Sequence, residues 1–134
     1  MPTPLVHFIV PVFILLVLFK KDRYVLWLSP FAILPDIDFG ELHRLLLHNI
    51  FVALAVAFLM WIILKKQSSV FCIVFIYLIS HIILDMFSGG VAVFYPIYTK
   101  LLYVNTAIGF DIHKHLLYAF DYGILPLHGV PRTN

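Results

Sequence analysis

Charge and cysteine are what this chain has least of. Asp, Glu, Lys and Arg make up 12% of its 134 residues, where a soluble domain carries about a quarter. Apolar residues make up 63%, and the mean hydropathy is +1.02. Such a balance excludes an ordinary soluble domain and predicts an integral membrane protein. The single cysteine, Cys72, excludes an intrachain disulfide. It lies in an apolar run and reads as a packed or lipid-facing thiol. The net charge of +2 is too small and too scattered for a nucleic-acid surface. No basic residue precedes the first apolar run, and Lys20-Lys21-Asp22-Arg23 follows it, so that run is expected to be a retained membrane helix and not a secretory signal. Repeats, low-complexity tracts and linkers are missing too, which leaves one domain, 1–134.

What the chain does have is four apolar stretches, Leu5–Phe19, Tyr24–Leu34, Asn49–Leu64 and Val70–Met86. A full crossing needs about 20 residues, so the first two are short, and Ser29-Pro30 should break the second. The expected fold is all-α, a polytopic membrane bundle of about four to five helices. Its core is 5–100, and the tail, 105–134, is a candidate for an additional interfacial or membrane helix. Lys20, Lys21 and Arg23 fall between stretches one and two, and Lys65-Lys66 between three and four. With alternating crossings these connections share one side, which the positive-inside rule makes cytoplasmic.

The opposite, extracytoplasmic face then receives the chain's ionisable residues. His7 lies near the start of stretch one, Asp36 and Asp38 at the end of two, and His43 and His48 ahead of three. His81 and Asp85 close stretch four. His81 and Asp85 are spaced i, i+4 and share a helix face. They can chelate a metal together, or Asp85 can orient the His81 ring by accepting its second N–H. Ionisable pairs in membrane helices are costly and usually functional, although a purely structural hydrogen-bonded pair has the same spacing. Asp36 and Asp38 follow Pro35 on a turn, and two adjacent carboxylates repel unless a cation or proton separates them. Arg44 suits a substrate anion or a carboxylate partner. Histidine and aspartate donors favour zinc, manganese or iron over copper. The donors exceed the four of one tetrahedral ion, so two or three ions are expected. Asp38 and Asp85 are the candidates for activating water. A Ser-His-Asp order, a phosphate-binding glycine loop and an HExxH motif are all absent.

The order His7, Leu34–Asp38 (LPDID), His43–His48 (HRLLLH), Ser80–Asp85 (SHIILD), a glycine turn and Pro96 resembles the YdjM-like membrane-bound metal-dependent hydrolases over about residues 5 to 100. That resemblance implies a metal site built from His7, Asp36, Asp38, His43, His48, His81 and Asp85. It also implies a remote similarity to zinc-dependent phospholipases C and related nucleases, and so phosphoester chemistry. Family members often read HRGxTHS where this chain has HRLLLHN, and a histidine commonly stands where this chain has Phe39. His113 and His115 lie beyond the resemblance and read as loop or interfacial residues. The leading expectation is a membrane-embedded hydrolase of phosphoesters acting on an amphiphilic or phosphorylated substrate, with membrane lipids as surroundings. A metal or proton transporter, a haem protein and a scaffold without chemistry are the alternatives.

Overall fold

The computed structural model describes residues 4–20, 22–37, 47–65, 67–87, 90–110 and 116–126. Helix α1 is Pro4–Leu18, α2 is the single turn Tyr24–Trp27, α3 is Ile50–Ile63 and α4 is Ser68–Met86. Two 3-10 turns, Ser29–Ala32 and Leu34–Ile37, lie between α2 and α3. Antiparallel strands β1 (Lys100–Phe110) and β2 (Leu116–Pro126) close the described chain.

Helix α4 organises the rest. Its buried residues are Val70, Ile73, Val74, Tyr77, Leu78, His81, Ile82 and Asp85, an unbroken i, i+3, i+4 stripe. The stripe begins as apolar core and ends in two ionisable groups. Against it α3 sets only the small side chains Ala53 and Ala57 as fully buried contacts, which lets the two helices approach closely. From α1 come His7, Pro11 and Leu15, again every fourth residue. The Pro11 ring removes the N–H that would have bonded the His7 carbonyl.

The outer faces of α1 and α3 are apolar and exposed: Leu5, Ile9 and Phe13 on one, Phe58, Leu59 and Ile62 on the other. A patch of this kind marks contact with lipid or another apolar partner. Among the described helices, α4 alone is long and apolar enough to cross a membrane. Its 19 residues span about 28 Å, against a hydrocarbon thickness of about 30 Å. The 15 residues of α1 and 14 of α3 reach only about 22 and 21 Å.

Two expectations are corrected here. The second apolar stretch forms no membrane helix, because Pro30 and Pro35 lack the N–H groups that a continuous helix needs, and the chain falls into short turns. Those turns still carry it back along α4: the Tyr77 hydroxyl donates to the Val25 carbonyl at 2.6 Å, and His81 meets Ala32 one turn further on. The described part of the tail is also not a helix. Residues 100–110 and 116–126 pair as a hairpin, so the fold is mostly helical and not all-α. Alternation explains it: Phe120, Tyr122 and Ile124 are exposed on one face, opposite Thr106, Val104 and Leu102, a period-two pattern with aromatic and branched residues. Gly90, at φ +90, makes the turn after which Val91 exchanges two backbone hydrogen bonds with Leu102, at 2.8 and 2.9 Å. Only glycine takes that φ without strain.

Candidate metal centre

Four separate pieces of chain deliver the site. His7 comes from the first turns of α1, Asp36 from the second 3-10 turn, His48 from the segment before α3, and His81 and Asp85 from α4. His48 is held in place by the two residues after it. The Asn49 side chain caps α3 by accepting from the Val52 N–H at 2.9 Å, and the Ile50 N–H donates to the Val93 carbonyl at 2.9 Å. An asparagine in extended conformation at this position is a favoured N-cap.

The three imidazoles and the Asp85 carboxylate are buried, at 2%, 0%, 0% and 4% exposure for His7, His48, His81 and Asp85. The Asp36 side chain is 27% exposed and marks the side from which the cluster opens. Asp85 sits between the rings. Its Oδ1 lies 3.3 Å from His7 Nε2, and its Oδ2 lies 3.0 Å from His48 Nε2 and 3.8 Å from His81 Nε2. His81 Nε2 is also 3.3 Å from Asp36 Oδ1. The His7 and His81 rings stack with centroids 4.2 Å apart.

The protons decide what this arrangement can bind. The Ala32 carbonyl lies 2.7 Å from His81 Nδ1, so Nδ1 carries the donated hydrogen, and in a neutral ring Nε2 is then a lone pair. That carbonyl is free for a backbone reason. Its i+3 donor would be Pro35, which has no N–H, and the Asp36 N–H goes to Ile33 at 3.0 Å instead. His81 Nε2 makes no hydrogen bond to a described residue, and points at carboxylate oxygens that are themselves acceptors. Acceptors facing acceptors in a buried site call for a cation or a proton between them.

The spacing fits a cation. His48 Nε2 and Asp85 Oδ2, 3.0 Å apart, are at hydrogen-bond length, whereas the other three N···O separations run from 3.3 to 3.8 Å. Donors placed about 2.0–2.1 Å from a tetrahedral ion lie about 3.3 Å apart. Ligand atoms of Asp36, His48, His81 and Asp85 all fall within 4.8 Å of one another, so this group could hold a metal ion. The Ala32 contact is the outer partner that fixes the tautomer and ring of a ligating histidine.

Five residues expected from the sequence therefore come together: His7, Asp36, His48, His81 and Asp85. Asp38, His43 and Arg44, as well as His113 and His115, lie outside the described residues. One detail is corrected. Asp85 does not accept the second N–H of His81; the Ala32 carbonyl does, and Asp85 faces Nε2. Neither Ala32 nor Pro35 stood out as a site residue, although a proline three places after a residue signals a carbonyl left without its local donor.

No curated protein and no solved structure matches the chain. A family model does: residues 1–129 match that of the YdjM inner membrane protein. The match spans every donor of the cluster and the hairpin after it, and the chain belongs to that family.

Proposed function

We propose that this protein is a membrane-embedded, metal-dependent hydrolase of phosphoester bonds in an amphiphilic substrate, with its site at the extracytoplasmic face. The observation that carries the reading is the setting of His81: a buried ring whose Nδ1 lies 2.7 Å from the Ala32 carbonyl and whose Nε2 faces two carboxylates. A bound divalent ion, zinc in our reading, would acidify a water and polarise a phosphoryl oxygen. The chain's own residues do the rest. His48, His81, Asp36 and Asp85 would hold the ion, His7 faces the second oxygen of Asp85, and by the resemblance Asp38 and His43 would supply donors for a second ion. Both Asp85 oxygens already face imidazole nitrogens, which leaves Asp38 the better candidate to take a proton from water. Arg44 would pair with the substrate's phosphate.

Two arrangements weigh against the alternatives. A transit path for metal or protons needs polar groups through the membrane, yet the α4 stripe behind His81 continues as Tyr77, Val74, Ile73 and Val70. Haem bound by two histidines needs them on opposite faces of the macrocycle, and the His7 and His81 rings are stacked at 4.2 Å. Membership of an inner membrane family and the apolar outer faces of α1 and α3 support a bundle that crosses more than once. Elemental analysis beside hydrolysis of an amphiphilic phosphodiester tests the proposal. Wild type should carry a divalent metal and act, and Asp85→Asn should lose both. Metal-free protein of unchanged stability in chelator would sink it.

A further inference from the structure

A second feature lies at the other end of the helices. From His7 to the end of α1 at Leu18 is about 16 Å along the axis. There α1 and α3 end, the latter at Ile63, and α4 begins at Ser68. Between these ends is a cavity of about 370 Å3 lined by Arg23, Tyr24, Trp27 and Leu64. Lys20 and Lys65 are exposed on the same two connections. Trp27 is 64% exposed and stands edge-on to Tyr24, with centroids 6.4 Å apart.

Arg23 is positioned and largely unspent. Its guanidinium lies over the Tyr24 ring, 5.2 Å from the centroid, and one N–H reaches the Tyr24 hydroxyl at 3.4 Å. Arginine has five N–H donors, and no other hydrogen bond uses them among the described residues. The nearest acid, Asp22, is engaged in the turn, accepting from the Tyr24 N–H at 2.9 Å. A cation, a tyrosine hydroxyl and an exposed tryptophan at the end of apolar helices are the groups that sit at headgroup level in a bilayer.

We infer that this cavity binds the phosphodiester of an anionic phospholipid, with Arg23 on the phosphate oxygens and Trp27 and Leu64 against the glycerol and first acyl carbons. The planar guanidinium offers paired donors to phosphate, and Lys20 and Lys65 add attraction for a net negative headgroup. Arg23 over the Tyr24 ring, with Lys20 and Lys65 beside it, repels the quaternary ammonium of a choline headgroup. The apolar half of the lining favours a lipid over free phosphate, and the volume is that of a small-molecule pocket. The site is separate from the histidine cluster and goes beyond the hydrolase reading.

The test uses full-length protein reconstituted in phosphatidylcholine with and without phosphatidylglycerol, with retained lipid counted by native mass spectrometry. Wild type should retain phosphatidylglycerol in preference to phosphatidylcholine. Arg23→Gln should lower that retention by about fivefold, the effect of one basic residue at a lipid surface, and Arg23→Lys should recover part of it. Trp27→Ala should weaken retention while leaving the metal content of the protein as in wild type, which also reports that it is folded. Equal retention of both lipids, or retention that Arg23→Gln leaves unchanged, overturns the inference. Displacement of the lipid by inorganic phosphate alone would assign the site to free phosphate and overturn it as well.

Discussion

His81 donates from Nδ1 to the Ala32 carbonyl at 2.7 Å, one turn of α4 beyond the bond from Tyr77 to Val25. One side of the ring is thereby a structural tie and the other a candidate ligand, and substitution can separate them. Asparagine places its amide where Nδ1 was and has nothing at Nε2. His81→Asn is expected to fold and to lose metal affinity by about 100-fold or more, at or beyond the upper end of what an outer-partner loss costs. Competition against a chelating dye measures it.

Pro35 should matter to the metal without touching it. In Pro35→Ala the new N–H can bond the Ala32 carbonyl and compete with His81. Metal affinity should fall about tenfold, with helix content by circular dichroism unchanged. Equal affinity in the variant would show that the carbonyl belongs to His81 for some other reason.

Tyr77→Phe leaves the Val25 carbonyl buried without its donor. The expected loss is about 1–3 kcal/mol of stability, read as a lower denaturation midpoint in detergent. Metal stoichiometry should stay that of wild type, since the hydroxyl lies a full turn from His81.

At the start of α3, Asn49→Ala removes the side chain that accepts from Val52 and should cost about 1 kcal/mol. Asn49→Ser keeps a capping oxygen, and serine is the residue that the HRGxTHS form of the motif carries here; it should be close to neutral. Thermal denaturation of the two variants side by side decides whether Asn49 acts as a cap.

Metal removal should loosen the whole bundle and not just the site. The candidate donors are Asp36, His48, His81 and Asp85, so an ion would cross-link the 3-10 turns, the segment before α3 and α4, and α1 would be tied in through His7 on Asp85. A ligand present at 100 times its dissociation constant stabilises by about 2.7 kcal/mol. Chelator should therefore lower the melting temperature of wild type and leave that of Asp85→Asn unmoved.

The sequence was most legible where helices are long and periodic. Stretches one, three and four form α1, α3 and α4 within two residues at each end, and sorting the ionisable residues to one end brought His7 into the cluster although nothing local marks it. Legibility failed where backbone hydrogen bonding and not apolar length decides. Ser29-Pro30 marked a break in Tyr24–Leu34, as the structure has it, but the apolar length still suggested a crossing where Pro30 and Pro35, which cannot donate, leave only short turns. In the tail the apolar content suggested a further helix and hid the alternation of Phe120, Tyr122 and Ile124, which is that of a strand. The Ala32 carbonyl could not be read as a site atom at all, because its part depends on contact with a residue 49 positions away.

One stripe on α4 carries both the packing core and two candidate ligands, from Val70 to Asp85. Each residue along a helix advances the azimuth by about 100°, so inserting or deleting a single residue after Tyr77 would swing His81 and Asp85 off the cluster even if the core below repacked perfectly. Helix α4 is in effect an indexed shaft that admits substitutions and refuses changes of length. Variation in what the site accepts is therefore expected in the connections and not in the helix, and Phe39 and Leu45, where this chain departs from the HRGxTHS pattern and the histidine before it, lie in the stretch of sequence between Asp36 and His48.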